Sequence, residues 1–166
     1  MRYKAILFDM DGTLLDTLTD MADAVNHILS VHGWPLRTTE EVRAFVGNGA
    51  RRLMERAVPP EVTGGDFETV LTEYRDWYQA HNCVATAPYP GIPALLAALA
   101  EVGIKTAVVS NKPDATTKTL AARFFPGLPA FGQRDDVPPK PAPDLVFRAL
   151  ETLGVDAADA IYVGDS

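Results

Sequence analysis

Two aspartates near the N-terminus, Asp9 and Asp11, have the spacing and the setting expected of a pair of reactive carboxylates. They directly follow residues 5–8, a run of four apolar residues typical of a strand buried on both faces. The carboxyl end of such a strand is where open α/β sheets hold their sites. Because two like charges this close cannot both ionise at low cost, one aspartate can serve as a nucleophile and the other as a general acid. The alternative is that both residues only begin a turn at Gly12.

Polar residues also follow two later apolar strands of the predicted sheet. Ser110-Asn111-Lys112 comes after the strand predicted at 104–109, and Gly164-Asp165-Ser166 comes after the strand predicted at 160–163. Lys140 opens the helix predicted between them. Because the carboxyl ends of parallel strands share one edge, we expect all these residues to converge with the aspartate pair. This combination of residue types indicates phosphoryl transfer.

The chemistry of phosphoryl transfer suggests a role for each side chain. Asp9 is the expected nucleophile, and Asp11 is expected to protonate the leaving oxygen and then to activate water. Lys140, the Ser110 hydroxyl and backbone N–H groups around Gly12 are expected to neutralise the charge on the transferring group.

The same residues offer oxygen ligands for a divalent cation. The carboxylate of Asp9, the carbonyl oxygen of Asp11 and the carboxylate of Asp165 are hard donors of the kind that Mg²⁺ prefers. A bound Mg²⁺ would also let two anionic groups approach each other. We therefore predict a magnesium site formed by these three residues.

The elements that must position these residues fall into two kinds. Residues 1–15 and 86–166 alternate strands with helices, which predicts an α/β core with a parallel sheet and right-handed crossovers. Residues 16–85 show helical periodicity only, so they are predicted to form an all-helical domain inserted into that core.

Composition excludes several classes of partner. The chain has 166 residues and a formal net charge of −7 with no basic run, which argues against binding nucleic acid. We predict no membrane span and no signal peptide, and the one cysteine, Cys83, excludes an internal disulfide. These features predict a cytoplasmic protein. If the residues above carry out phosphoryl transfer, its expected partner is a small phosphorylated metabolite, and we expect a monomer or homodimer.

Four motifs in order resemble those of the haloacid dehalogenase superfamily of aspartyl-phosphate hydrolases. They are residues 9–13 (Asp-Met-Asp-Gly-Thr), 110–112 (Ser-Asn-Lys), 140–141 (Lys-Pro) and 164–166 (Gly-Asp-Ser). The resemblance implies a Rossmann-like core, a Mg²⁺ cofactor and a helical cap inserted after the first motif. It also implies for Asp9, Asp11, Ser110, Lys140 and Asp165 the roles given above, with Gly12 and Asn111 beside the phosphate.

Within that superfamily, an aspartate at the position of Asp11 points to phosphatases or mutases. The stretch 45–53 is most similar to phosphoglycolate phosphatases, and residues 89–91 and 132–134 are similar to the same group. Arg51 or Arg52 could then bind the carboxylate of a small acid such as 2-phosphoglycolate. The alternative is that these arginines lie on a solvated helix face and pair with Glu55.

Members of the superfamily usually continue beyond this point with another acidic residue, a helix and a strand. Because this chain ends at Ser166, we expect the C-terminal part of the core to be missing and Mg²⁺ to bind more weakly. Three alternatives to a 2-phosphoglycolate phosphatase stay open. They are a sugar-phosphate phosphatase, a phosphomutase, and a phosphate-binding or interaction module without turnover.

Overall fold

The structure, a computed structural model, describes residues 2–165. In chain order the elements are β1 Ala5–Phe8, β2 Leu15–Asp16, α1 Leu18–Val31, α2 Thr39–Phe45, α3 Gly49–Ala57, α4 Gly64–His81, β3 Ala87–Pro88, α5 Ile92–Glu101, β4 Lys105–Pro113, α6 Asp114–Phe124, β5 Ala130–Gln133, α7 Asp144–Leu153, a 3-10 helix Ala157–Asp159, and β6 Ala160–Val163.

These elements form two compact units. One unit contains the described residues up to Asp16 and those from Ala87 onward, and the other is Thr17–Thr86. Each junction lies one residue later than the boundary inferred from the sequence. In the part of the chain that the structure describes, no helix combines the length and the apolar character needed to cross a membrane.

The first unit is built on a four-stranded parallel sheet in the order β5-β4-β1-β6. Phe8, the last residue of β1, is level with Val108 of β4 and with Val163 of β6. The carboxyl ends of β1, β4 and β6 are therefore adjacent along one edge. The predicted α/β fold with a parallel sheet is confirmed.

Burial on both faces explains why β1 and β4 occupy the centre of the sheet. Leu7, Ala107 and Val109 are almost completely buried, and they belong to a cluster that α7 covers on one side. The other members of that cluster are Val137, Leu145, Ala149 and Leu150. Uniformly apolar strands of this kind require a covering layer, which the crossover helices supply.

The strand ends differ from the prediction in two places. β4 continues to Pro113, so Ser110 and the two residues after it lie in the terminal part of the strand and not in a loop beyond it. Residues 15–16 and 87–88, for which no strand was predicted, pair as the short antiparallel ribbon of β2 and β3. A two-residue strand is too short to show alternating apolar and polar residues. Its pairing partner also lies about 70 residues away in the chain, so no local pattern indicates it.

The second unit contains α1 to α4 around its own apolar core. The buried face of α1 includes Val25 and Leu29, which pack in one cluster with Met54 of α3 and Leu71 of α4. Thr38 and Glu41 form a reciprocal capping box at the start of α2, as the Thr-Thr-Glu-Glu sequence predicts.

A buried carboxylate closes the helical unit on itself. Asp20, in the first turn of α1, is 2% exposed and accepts hydrogen bonds from the backbone N–H groups of Val84, Ala85 and Thr86 at 2.8 to 3.0 Å. The Thr86 hydroxyl donates to the same carboxylate at 2.7 Å. The last residues of the unit are thus held at its first helix.

We predict that Asp20→Ala lowers the free energy of unfolding by roughly 3 kcal/mol or more, because three backbone N–H groups and the buried Thr86 hydroxyl lose their acceptor. Asp23→Ala, an exposed aspartate on the same helix, should change it by about 0.5 kcal/mol or less. Both tryptophans, Trp34 and Trp77, lie in this unit, so urea unfolding followed by tryptophan fluorescence measures the effect. Equal effects of the two substitutions would contradict the prediction.

Candidate active site

Asp9 lies at the carboxyl end of β1 with its carboxylate 6% exposed. Its backbone N–H donates to Val163 O at 2.9 Å, which continues the β1–β6 ladder by one residue. Oδ1 accepts from the Met10 N–H at 2.7 Å, and Oδ2 lies 2.7 Å from Nζ of Lys140. A buried carboxylate is thereby paired with an ammonium on a side chain that is 10% exposed, as burial of the carboxylate charge requires.

Hydrogen bonds to the Lys140 backbone, as well as its ion pair with Asp9, hold Lys140 at the sheet edge. The Asn111 side chain accepts from the Lys140 N–H at 2.8 Å and donates to the Lys140 carbonyl oxygen at 3.1 Å. Because Asn111 belongs to β4, this double hydrogen bond fastens the segment before α7 to the sheet edge. Asn111 was predicted beside the phosphate, and its side chain here holds Lys140.

A second ion pair lies beside the first. The Nζ of Lys112 is 3.2 Å from Oδ1 of Asp11, and the two side chains are 4% and 18% exposed. Ser110 is 1% exposed, and its hydroxyl oxygen accepts from the Lys112 N–H at 3.2 Å. The contact with Asp11 thus places the Lys112 ammonium within the cluster of site residues.

Gly12 makes room for the carboxylate of Asp165. Its φ is +75°, and a Cβ atom there would lie 2.1 Å from Oδ2 of Asp165, which no side chain could tolerate. Thr13 Oγ1 donates to Oδ1 of Asp165 at 3.4 Å. The Gly12 N–H donates to the carbonyl oxygen of Leu15 at 3.0 Å, so in this structure Gly12 admits Asp165, whereas it was predicted to bind phosphate.

Tyr162, on β6, contacts both Lys140 and β4. The sequence analysis did not single it out. Its hydroxyl oxygen accepts from Nζ of Lys140 at 2.6 Å. Burial raises the pKa of the Tyr162 phenol well above its usual value, and the negative charges of Asp9 and Asp165 raise it further. A tyrosine two residues before Gly164, at the end of an apolar strand, was the available signal.

The predicted Mg²⁺ ligands are two carboxylates and one backbone carbonyl oxygen, all of which are hard oxygen donors. Among residues 2–165 no three side chains of His, Cys, Asp or Glu converge as a metal cluster. The predicted set needs only two carboxylates, Asp9 and Asp165, because its third donor is the carbonyl oxygen of Asp11. The space at Gly12 that admits the Asp165 carboxylate fits this donor set.

The two arginines considered as substrate ligands are paired within the helical unit. Arg51 forms a bidentate contact with Glu68, with both N–O distances at 2.8 Å. These hydrogen bonds raise the pKa of Arg51 and lower the pKa of Glu68. Arg52 pairs with Glu55 at 2.7 Å. Binding of a substrate carboxylate by Arg51 would require it to leave Glu68.

Comparison with known proteins identifies the family. The model of the haloacid dehalogenase-like hydrolases matches residues 6–166, almost the whole chain. The chain belongs to this family. The resemblance based on the four motifs is therefore confirmed.

Relatives within the haloacid dehalogenase-like family are phosphatases by name. N-acetylmuramic acid 6-phosphate phosphatase of Pseudomonas aeruginosa is 35% identical over 173 residues, which cover 99% of this chain and 74% of the relative. Phosphoglycolate phosphatase of Pseudomonas savastanoi pv. phaseolicola is 35% identical over 174 residues, which cover 98% of this chain and 62% of the relative. The chain thus spans less than two thirds of the second relative.

A solved structure of the family has the same fold. It is that of a Lactobacillus delbrueckii subsp. bulgaricus protein provisionally assigned as a phosphoglycolate phosphatase. It matches with a TM-score of 0.93 and 34% sequence identity, covering 100% of this chain and 80% of that chain.

The Asn111 contact leads to a prediction with an internal control. Asn26, in the helical unit, bridges the N–H and carbonyl oxygen of Arg37 at 2.8 and 2.9 Å in the same manner. Asn111→Ala and Asn26→Ala should each lower the free energy of unfolding by about 1 to 3 kcal/mol, since each loses two hydrogen bonds. Of the two variants, only Asn111→Ala should also slow hydrolysis of 4-nitrophenyl phosphate, because Asn111 contacts Lys140 and Asn26 does not. Equal losses of activity would contradict this assignment.

Proposed function

We propose that this chain carries the active site of a Mg²⁺-dependent phosphatase that hydrolyses a small phosphomonoester through an aspartyl-phosphate. The observation that supports it most is the ion pair between the buried Asp9 and the largely buried Lys140, 2.7 Å apart at the sheet edge. Asp11 and Lys112 are paired beside it. A carboxylate and an ammonium so placed supply a nucleophile and a fixed positive charge.

The proposed reaction has two steps. In the first, an Asp9 carboxylate oxygen attacks phosphorus, the P–O bond to the leaving group breaks, and Asp11 gives its proton to the departing oxygen. In the second, Asp11 takes a proton from water as the water oxygen attacks phosphorus, which releases inorganic phosphate and restores Asp9. Lys140 and the Ser110 hydroxyl are proposed to offset the charge on the phosphoryl oxygens in both steps.

The proposed metal ligands are the carboxylates of Asp9 and Asp165 and the carbonyl oxygen of Asp11. When bound there, Mg²⁺ would supply positive charge that lets the anionic phosphate approach the anionic nucleophile. Gly12 supports this arrangement from this chain's own geometry, because only a residue without Cβ lets Asp165 lie against it.

Asp9→Asn should abolish phosphate release, because the amide is a poor nucleophile and cannot form the acyl-phosphate. Asp23→Asn, an exposed aspartate of the helical unit, is the matched control and should retain full activity. In wild type, EDTA should remove the activity and added Mg²⁺ should restore it. Equal phosphate release by Asp9→Asn and wild type would exclude Asp9 as the nucleophile. No phosphate release by wild type across a panel of metabolites would exclude the enzyme proposal and favour a binding module.

The favoured substrate is 2-phosphoglycolate. Support comes from the relatives named phosphoglycolate phosphatase, at 35% and 34% identity. A sugar phosphate is the second candidate, because the Pseudomonas aeruginosa relative that is 35% identical, and of which this chain covers 74%, is named for N-acetylmuramic acid 6-phosphate. Both compounds carry a carboxylate as well as a phosphomonoester. We therefore propose that Arg51, in the helical unit acting as a cap, binds this carboxylate.

Matched substrates test the proposed role of Arg51. Arg51→Ala should raise KM for 2-phosphoglycolate about tenfold or more, since a bidentate contact with a carboxylate is lost, and should leave KM for ethyl phosphate nearly unchanged. N-acetylmuramic acid 6-phosphate and N-acetylglucosamine 6-phosphate form the corresponding pair of sugar phosphates. Arg52→Ala is the control variant. Equal changes for acidic and neutral substrates would remove Arg51 from substrate binding.

A further inference from the structure

The Tyr162 hydroxyl accepts one hydrogen bond and donates another within the site. An ammonium can only donate, so in the 2.6 Å contact the Tyr162 oxygen is the acceptor and Lys140 the donor. The phenolic O–H in turn donates to the carbonyl oxygen of Val109, on β4, at 3.3 Å. The Lys140 Nζ also lies 5.2 Å from the centre of the Tyr162 ring. One side chain of β6 thus connects the ammonium to β4.

We propose that Tyr162 is a positioning residue that holds the Lys140 ammonium against Asp9. This inference rests on the proposed function and assigns to it a residue that does not itself touch the reacting atoms. An ammonium has three N–H donors. One points to Asp9 and one to Tyr162, so the phenol limits the directions in which the remaining N–H can face.

The surroundings of Tyr162 restrict where its ring can lie. It is level with Leu7 of β1 in the β1–β6 ladder and packs in the same apolar cluster as Leu7. A Cβ atom at Gly164 would lie 2.9 Å from Cε1 of Tyr162 and 3.1 Å from Cβ of Asp9. The glycine therefore permits the ring and Asp9 to approach each other closely, and a larger residue would separate them.

Positioning matters here because the lysine side chain is long and has four rotatable bonds. Without a second contact, Nζ of Lys140 could keep its ion pair with Asp9 while moving around the carboxylate. A lysine that moves in this way gives less stabilisation to a transition state than one already oriented toward the phosphoryl oxygens. The hydrogen bond from Lys140 to Tyr162 supplies that orientation.

Tyr162→Phe tests the proposal, because it removes the hydroxyl and keeps the ring. It should lower kcat/KM for the best phosphomonoester about tenfold or more, with most of the change in kcat. Tyr3→Phe, in the same unit before β1, is the matched control and should leave kcat/KM unchanged. Thermal unfolding of both variants shows whether the fold is retained.

A double-mutant cycle separates positioning of Lys140 from a general structural role. If Tyr162 acts through Lys140, Tyr162→Phe should change kcat/KM by less than about twofold when added to Lys140→Met. The same loss in both backgrounds would overturn the proposal. So would an unchanged kcat/KM for Tyr162→Phe alone.

Crystal structures give a readout that does not require turnover. In Tyr162→Phe the Nζ of Lys140 should move or become disordered, whereas in Tyr3→Phe it should stay within hydrogen-bond distance of Asp9. If wild type releases no phosphate from any compound tested, the proposed function fails and these structures alone judge the role of Tyr162. An unmoved Lys140 in Tyr162→Phe would overturn it.

Discussion

The carboxyl end of β1 carries a buried charge, and much of the surrounding structure serves to compensate it. Asp9 is 4% exposed at the centre of a parallel sheet, where an unpaired carboxylate would be costly. Lys140 supplies the opposite charge, Met10 supplies a backbone N–H, and Val163 holds the strand end from the other side. The contacts that make the carboxylate tolerable also fix where it points.

The charged groups next to Asp9 are also paired or held by hydrogen bonds. Asp11 is paired with Lys112, and Lys140 is fastened by Asn111 through its backbone and by Tyr162 through its ammonium. In a chain whose formal net charge is −7, the buried Lys112 and the largely buried Lys140 both face carboxylates. Ion pairs of this kind contribute little to stability compared with apolar residues of the same size. Their presence at one sheet edge fits a chemical purpose better than a structural one.

The helical unit uses a buried carboxylate differently. Asp20 accepts four hydrogen bonds from residues at the other end of the unit. The donors are backbone N–H groups and a threonine hydroxyl, and none is a lysine or an arginine. Together with the β2–β3 ribbon, it keeps the two connections of this insertion near each other. One aspartate thus serves chain closure, while Asp9 and Asp11 face ammonium groups at the sheet edge.

The sequence by itself determined the sheet, the family and the residues gathered at the site. Apolar runs ending at Asp9, Ser110 and Asp165 were sufficient, because local burial patterns and the rule for parallel strand ends do not depend on side-chain detail. Only the tertiary structure decided how these residues are used. Gly12 admits Asp165, Asn111 holds Lys140, and Tyr162 contacts Lys140, and each of these contacts connects residues at least 22 positions apart. No periodicity or local motif encodes such distances; they arise when the packed core brings the strand ends together.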